Sequence, residues 1–176
     1  MRLTGLGFLI IFFCSCSQKE ENIPQSEPYF SVKSYFEKEA DRLTKLNLIV
    51  HKTVSIDGTN EQKRVKISDY KKELNTFISS DINKASWRGA FTVKKKEDQI
   101  FYTTENEKVP VKKVHIRFKN NTVKSIQIVV QTINILYHSA DTLTYFPDSL
   151  YEIKKTQKIK LLKEKKYVVV GRFTSN

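Results

Sequence analysis

The sequence has little cysteine, glycine or histidine, and each shortage excludes a class of protein. Its two cysteines, Cys14 and Cys16, both lie in the first sixteen residues, so the rest of the chain has no thiol for disulfide bonds, thiol catalysis or cysteine-ligated zinc. The five glycines form neither a Walker A loop nor a GxGxxG dinucleotide-binding turn. The three histidines have no metal-ligand spacing and no HExxH motif. We therefore expect no metal site and no bound cofactor.

The sequence also lacks a convincing catalytic grouping. His138, Ser139 and Asp141 form the one local cluster with the residue types of a serine hydrolase. Consecutive residues of a strand point to opposite faces of a sheet, so His138 and Ser139 should diverge. No GxSxG motif occurs. We expect no catalytic residues and no enzymatic activity.

Basic residues are in excess, which raises the question of a nucleic-acid partner. The formal net charge is +12, but 25 of the 31 basic residues are lysine and six are arginine. Arginine supplies the forked and stacking contacts through which proteins bind bases and phosphates. The lysines are scattered along the whole chain, apart from small runs such as residues 94–96. This pattern favours a solvated surface, and we expect no specific nucleic-acid partner.

The first sixteen residues have the pattern of a lipoprotein export signal. A basic residue precedes an apolar run that ends at Phe13 and is too short to span a bilayer. Cys16 has Phe13 three places before it and the small residue Ser15 directly before it, as cleavage by lipoprotein signal peptidase requires. Cys14 fails this test, since bulky Phe13 directly precedes it. We expect residues 1–15 to be removed and Cys16 to carry the lipid; an ordinary signal peptide or an uncleaved anchor helix is the alternative.

The segment that follows, residues 16–28, is predicted to be a flexible tether, since it contains two prolines and mostly polar neighbours. Its start resembles the short Gln-Lys-acidic-acidic export signal of surface lipoproteins from Bacteroidetes, and the matching residues are Gln18, Lys19, Glu20 and Glu21. The resemblance implies a lipid anchor in the outer membrane and a domain exposed at the cell surface. A solvated tether of mixed charge is the alternative interpretation.

Residues 29–176 are predicted to form a single α+β domain. Apolar residues at helical spacing predict an amphipathic helix over residues 31–46. A hairpin with an Asp-Gly turn at residues 57–58 follows, and a second helix is predicted to start after Asp69. Trp87 is expected to fill the seam between helices and sheet. Everything after Ala90 alternates like strands, and a tight turn is predicted at residues 120–121. The predicted fold has two N-terminal helices and a hairpin packed on an antiparallel β-meander of about six strands.

Longer stretches resemble a family of small uncharacterised lipoproteins from Bacteroidetes. The similarity lies in the lipoprotein start and in YFSVKSYFEKEADRLTKLN, SSDINKASW and LTYFPDSLYEIKKTQKIKLL. It covers nearly the whole mature chain. The resemblance implies a membrane-attached envelope protein, but it carries no known activity.

Four aromatic residues in a short region that contains turns are candidate binding residues: Tyr137, Tyr145, Phe146 and Tyr151. Aromatic side chains on an exposed sheet face bind sugars, peptides or proteins, and core packing is the alternative. We predict a non-catalytic binding or assembly module with envelope proteins or glycans as partners. The alternative is a carrier in which the sheet forms a cup for a lipid or other apolar ligand, lined by side chains such as Ile126, Ile128, Ile135 and Leu143.

Overall fold

The computed structural model describes residues 29–174, which contain nine strands and little helix. The helical elements are α1 (Val32–Leu46), α2 (Tyr70–Glu73), α3 (Asn75–Ile78) and a 3₁₀ turn (Ala85–Trp87). The strands of the N-terminal hairpin are β1 (Ile49–Ile56) and β2 (Thr59–Lys66). The later strands are β3 (Thr92–Lys96), β4 (Gln99–Thr103), β5 (Val111–Lys119), β6 (Thr122–Ile133), β7 (Tyr137–Phe146), β8 (Leu150–Ile159) and β9 (Lys165–Thr174).

All nine strands lie in one antiparallel sheet, in the order β2-β1-β9-β8-β7-β6-β5-β4-β3. The N-terminal hairpin joins the meander through pairing of β1 with β9, where Val54 lies opposite Val169. The predicted α+β class, with two helices and a hairpin packed on about six strands, is therefore wrong. The described residues form mainly one large sheet, because the hairpin pairs edge to edge with the last strand. This pairing satisfies backbone N–H and C=O groups that the edges of β1 and β9 would otherwise leave unpaired.

Helix α1 follows the local sequence closely. The side chain of Ser31 accepts a hydrogen bond from the Ser34 backbone N–H at its start, and Asn47 ends it in the left-handed conformation with φ 51°. One stripe of the helix is fully buried, at the spacing that the sequence predicted: Val32, Phe36, Ala40 and Leu43. This helix is confirmed, although Leu46, which continues the same apolar spacing, is exposed.

The second predicted helix is present as two single turns. The side chain of Asp69 caps α2 by accepting a hydrogen bond from the Lys72 backbone N–H at 3.0 Å. The backbone leaves the helical conformation at Leu74, and α3 begins at the next residue. Tyr70, Leu74 and Phe77 nevertheless remain buried, so the two turns still present a continuous apolar stripe to the core.

Two of the predicted tight turns are also confirmed. Asp57 and Gly58 join β1 to β2 with φ values of 49° and 91°, and Asn120 and Asn121 join β5 to β6 with φ values of 51° and 58°. Two successive positive φ angles match the twist of an antiparallel hairpin, and Asn, Asp and Gly tolerate them best.

The helices cover one end of one sheet face and leave the other end uncovered. The covered end carries the β5–β6 and β7–β8 turns. There, Arg42 of α1 pairs with Asp148 of the β7–β8 turn at 2.7 Å. Along β7, Tyr145 and Leu143 are fully buried beneath the helices, whereas Tyr137 at the other end of the strand is partly exposed. We call that other end, which carries the β1–β2, β6–β7 and β8–β9 turns, the open end.

Candidate functional site

The predicted lipid anchor and export signal precede the fold. Cys16 and the tetrapeptide formed by Gln18, Lys19, Glu20 and Glu21 lie outside the residues that the structure describes. The first described residue, Tyr29, is fixed in place: its backbone N–H donates to Asn83 Oδ1 at 3.1 Å, and its ring packs edge-on against Phe91 and Tyr102. Any anchor at Cys16 would therefore be joined to the domain at this point.

The four candidate binding aromatics do not form one exposed surface. Tyr145 and Tyr151 lie opposite each other on β7 and β8, and both are fully buried under the helices. Phe146 follows Tyr145 in the strand and points to the other sheet face. Tyr137 lies at the open end of β7. Tyr145 and Tyr151 are core residues, as in the alternative interpretation, because α1 and α2 cover their part of the sheet.

Two glutamates, Glu39 buried and Glu73 half-buried, bind these tyrosines and join the helices to the sheet. The Tyr145 hydroxyl donates to Glu39 Oε1 of α1 at 2.5 Å, and the Tyr151 hydroxyl donates to Glu73 Oε1 of α2. Each carboxylate also has a cation beside it: Arg42 lies 2.6 Å from Glu39, and Lys52 lies 2.7 Å from Glu73. The sequence pattern does not predict this network, although Glu39 falls within the apolar stripe of α1, three residues after the buried Phe36.

The hydroxyls of this network stay protonated. Burial raises the pKa of the Tyr145 hydroxyl, and its hydrogen bond to Glu39 raises this pKa further. Burial and the hydrogen bond to Glu73 raise the pKa of Tyr151 in the same way. Both phenols therefore remain hydrogen-bond donors throughout the ordinary pH range. The network acts as a structural tether between helices and sheet.

The serine, aspartate and histidine cluster does not assemble. Ser139 Oγ donates to Asp141 Oδ1 at 2.6 Å, and Lys155 Nζ lies 3.5 Å from the other oxygen of Asp141. His138 is exposed on the opposite sheet face, as strand alternation predicts. Within the described residues, no group of three or more His, Cys, Asp or Glu side chains comes together as a metal site would require.

His115 has a structural environment of its own on the outer sheet face. Its ring stacks on Phe101 with centroids 4.2 Å apart, and its Nε2 atom lies 2.8 Å from Gln99 Oε1. Burial lowers the pKa of His115, and the charges of Lys113 and Arg117 lower it further. The neutral imidazole therefore predominates at neutral pH, and it forms part of a side-chain stack across β4 and β5.

The open end of the sheet carries the main unexplained surface. Six large apolar side chains are exposed on two neighbouring hairpin ends, the β6–β7 turn and the β8–β9 turn: Ile133, Ile135, Leu136, Ile159, Leu161 and Leu162. We call this set the apolar tip. The alternating sequence pattern predicts most of these residues to lie within strands, whereas four of them lie in or beside turns that extend past the last strand pairs.

Two shallow grooves lie beside the apolar tip. One of about 330 Å³ lies between β8 and β9, and its lining includes Ile159, Leu162 and Tyr167. The other, of about 630 Å³, lies beside the β4–β5 loop and is lined by more polar residues, among them Glu105, Glu107 and Gln131. Both grooves open at the same end of the sheet, so the tip and its surroundings are the best candidate for a binding site.

Comparisons with known proteins assign no role to any residue of this chain. It matches no protein-family model, no curated protein and no solved structure. The resemblance to small Bacteroidetes lipoproteins stays a prediction. None of the helices that the structure describes has both the length and the apolar character needed to cross a membrane.

Proposed function

We propose that this chain is a lipid-anchored envelope lipoprotein whose folded domain is a non-catalytic binding or assembly module. The observation that carries the proposal is the apolar tip. Large exposed apolar patches are uncommon on soluble domains, and they mark surfaces that another molecule covers. The six side chains of the tip are gathered at one end of the sheet, away from the helices.

The lipid anchor is proposed from the sequence around Cys16. Acyl chains on this residue would hold the chain stably, since each buried methylene contributes about 0.8 kcal/mol and more than one chain is attached. Residues 17–28 would then reach at most roughly 40 Å from the anchor. The proposed location is the outer membrane, with the domain at the cell surface if residues 18–21 act as the export signal.

A non-catalytic role agrees with the contacts of the acidic side chains, since the carboxylates that could serve an active site are held by partners within the fold. Glu39 and Glu73 are each bound by a buried tyrosine and a neighbouring cation. Asp141 is held by Ser139 and Lys155. These carboxylates already serve the packing of the fold. The proposed partners are envelope components that contact the open end: proteins, glycans or lipid.

The carrier alternative has weaker support. Ile126, Ile128 and Leu143 would line its cup, but all three are fully buried in the packed core. Ile135, the fourth lining residue proposed, is exposed on the apolar tip instead. The helices fill the space above the sheet that a ligand would need, so we do not propose a carrier.

A first prediction concerns the N-terminal segment. Cys16→Ala is expected to abolish incorporation of radiolabelled fatty acid, because it removes the thiol that would be acylated. Cys14→Ala should keep the label, since Cys14 would leave with the signal. The measurement is autoradiography of the immunoprecipitated chain. Labelling that depends on Cys14 would place the anchor on the other cysteine.

The same cells test the export signal. Replacing residues 18–21 by alanine should leave the lipid label unchanged but protect the domain from protease added to intact cells. Alanine at four tether positions outside the motif, Asn22, Ile23, Gln25 and Ser26, is the matched control and should leave the domain sensitive. Equal sensitivity of all three proteins would remove the role proposed for the tetrapeptide.

A second prediction tests the binding module directly. Residues 22–176 retain every contact that the structure describes, because those contacts lie between residues 29 and 174. This soluble domain is expected to co-sediment with isolated envelope membranes. Ile135→Ser combined with Leu161→Asn should reduce the bound fraction about tenfold or more, since both side chains would be covered in the complex.

The control pair for this experiment lies elsewhere on the surface. Leu46→Ser with Val93→Ser removes two exposed apolar side chains, one on α1 and one on edge strand β3. It should leave co-sedimentation unchanged. If the wild-type domain stays in the supernatant at every salt concentration, the proposed binding module is wrong.

A further inference from the structure

We propose that the apolar tip docks on an anionic lipid surface, with its apolar side chains in the bilayer interface and its lysines against the headgroups. This inference rests on the proposed function, since it names the partner of the same surface. It adds a second membrane contact, made by the folded domain itself and independent of the lipid on Cys16.

The two hairpin ends of the tip are held together as one surface. The Lys160 backbone N–H donates to the Leu136 carbonyl oxygen at 2.8 Å, and Tyr137 lies opposite Ile159 in the sheet. Within the β6–β7 turn, Asn134 Oδ1 accepts hydrogen bonds from the Leu136 and Tyr137 backbone N–H groups, both at 2.9 Å. The apolar side chains are therefore presented by an ordered backbone, and little order has to be gained on docking.

The fold itself does not account for the residues of the tip. The Leu161 side chain is 95% exposed, and its backbone has a φ of 68°, in the left-handed region that disfavours a leucine. Ile135 is 87% exposed. Leu161 thus adds no stability to the domain through burial, and its left-handed backbone destabilises the fold. Insertion of its side chain into an apolar environment outside the domain would offset this cost.

The charges around the tip decide between a lipid and a protein partner. Residues 158–166 contain five lysines and one glutamate, a net charge of +4 in nine residues. Apolar side chains with a lysine border are typical of surfaces that lie in the interface of an anionic bilayer. Protein interfaces, by contrast, are depleted in lysine around their apolar centre. A second copy of the chain would bring two such positive surfaces together.

Acidic residues at the same end set a limit on the docking area. Glu164 lies within the β8–β9 turn, 4.0 Å from Lys166, and Glu105 and Glu107 border the groove beside the β4–β5 loop. The positive side of the open end is thus the β8–β9 turn with the adjoining β6–β7 turn. We expect the domain to tilt so that these two turns meet the headgroups first.

The test uses pure lipid, so that neither proteins nor glycans can account for binding. Residues 22–176 are mixed with vesicles of phosphatidylglycerol and phosphatidylcholine in equal parts, and with vesicles of phosphatidylcholine alone, and bound protein is measured by flotation. We expect binding to the anionic vesicles that falls with rising salt. Ile135→Ser with Leu161→Asn should lower the partition coefficient about tenfold or more. Asparagine tolerates the left-handed backbone at position 161, so this variant should fold, which circular dichroism will check.

A charge variant separates the electrostatic contribution from the apolar one. Lys160→Gln with Lys163→Gln should lower partitioning into the anionic vesicles about tenfold while leaving that into neutral vesicles unchanged. The matched control is Lys38→Gln with Lys124→Gln, which removes the same charge from exposed positions away from the tip. Equal losses in both pairs would show that net charge alone drives binding and would overturn the tip as the docking surface.

The remaining outcomes also decide the question. If the wild-type domain ignores both vesicles but still co-sediments with envelope membranes, the lipid inference is wrong and the proposed binding module stands with a protein or glycan partner. If the wild-type domain binds neither the vesicles nor the envelope membranes, both the lipid inference and the proposed binding module are wrong. Analytical ultracentrifugation without lipid tests for a second copy of the chain as the partner. Concentration-dependent dimerisation would overturn the lipid inference if Ile135→Ser with Leu161→Asn abolishes it, because the tip would then be a dimer interface.

Discussion

Phe36→Ala is expected to lower the free energy of unfolding by about 3–5 kcal/mol, the range for deleting a buried aromatic side chain. Phe36 is fully buried where α1, α3 and the sheet meet. Its ring centroid lies 4.7 Å from that of Phe77 in α3 and 5.1 Å from that of Tyr145 in β7. Truncation therefore leaves a cavity between α3 and the sheet. Domains of this size are typically stable by about 5–15 kcal/mol, so the variant would be marginal. Urea unfolding followed by circular dichroism measures the loss.

The control for this prediction lies on the same helix. Leu46→Ala truncates an apolar side chain that is 48% exposed, and we expect a change within about 0.5 kcal/mol. Helix propensity favours alanine slightly at both sites, so it does not distort the comparison. Similar effects of the two substitutions would mean that α1 does not pack on the sheet through the face described.

The parts of the fold that the sequence predicted correctly are those set by neighbouring residues. Helix α1 has its cap at Ser31 and its apolar stripe within four turns of sequence. The turns at residues 57–58 and 120–121 contain the residue types that positive φ angles require. Each of these features can form from a local pattern of capping, spacing or turn chemistry.

The fold class was wrong because one strand pairing joins distant parts of the chain. Val54 of β1 and Val169 of β9 lie opposite each other although more than a hundred residues separate them in sequence. Alternation within each strand shows that a strand exists, but it does not show which edge the strand joins. The hairpin was therefore placed beside the meander, whereas it extends the sheet.

In the candidate site, too, the sequence predicts what depends on neighbouring residues but not what depends on the packing of distant elements. Strand alternation alone separates Tyr145 from Phe146, so these two aromatics could have been assigned to different faces from the sequence. The buried Tyr145 hydroxyl has its hydrogen-bond partner on α1, in Glu39, which is 106 residues away in sequence. Trp87, expected to fill the seam between helices and sheet, is only partly buried, with Lys84 Nζ 4.2 Å from its ring centroid. These placements depend on how helices and sheet pack, which short-range patterns do not encode.

The apolar tip was missed for a different reason. Ile135 and Leu161 continue the apolar pattern of β7 and β8, so sequence periodicity extends the strands through them. In the structure, these residues lie outside the strands. A lysine on each side of the Leu161-Leu162 pair was the available signal, because a buried strand end would seldom carry so much charge.

Gly171→Ala is expected to destabilise the fold by about 3 kcal/mol, at the upper end of the usual range for overpacking a core. Gly171 of β9 lies directly opposite Tyr151 of β8, and a Cβ atom at Gly171 would overlap the phenol ring. The ring cannot easily move aside. Its hydroxyl is bound to Glu73, which is paired with Lys52, and its ring packs against that of Phe173. Urea unfolding again measures the effect.

A double-mutant cycle shows whether the overlap with this ring is the cause. In a Tyr151→Leu background the atoms that would collide with the new methyl group are gone, so Gly171→Ala should cost at least about 1 kcal/mol less than in the wild type. Gly89→Ala is the control for backbone strain, since Gly89 has a φ of 76° and open space around its Cβ position. That substitution should cost about 1–2 kcal/mol in either background. If the effects of Gly171→Ala and Tyr151→Leu simply add, the glycine is required for a reason other than its contact with Tyr151. The close approach of β8 and β9 at this pair would then not be what restricts position 171 to glycine.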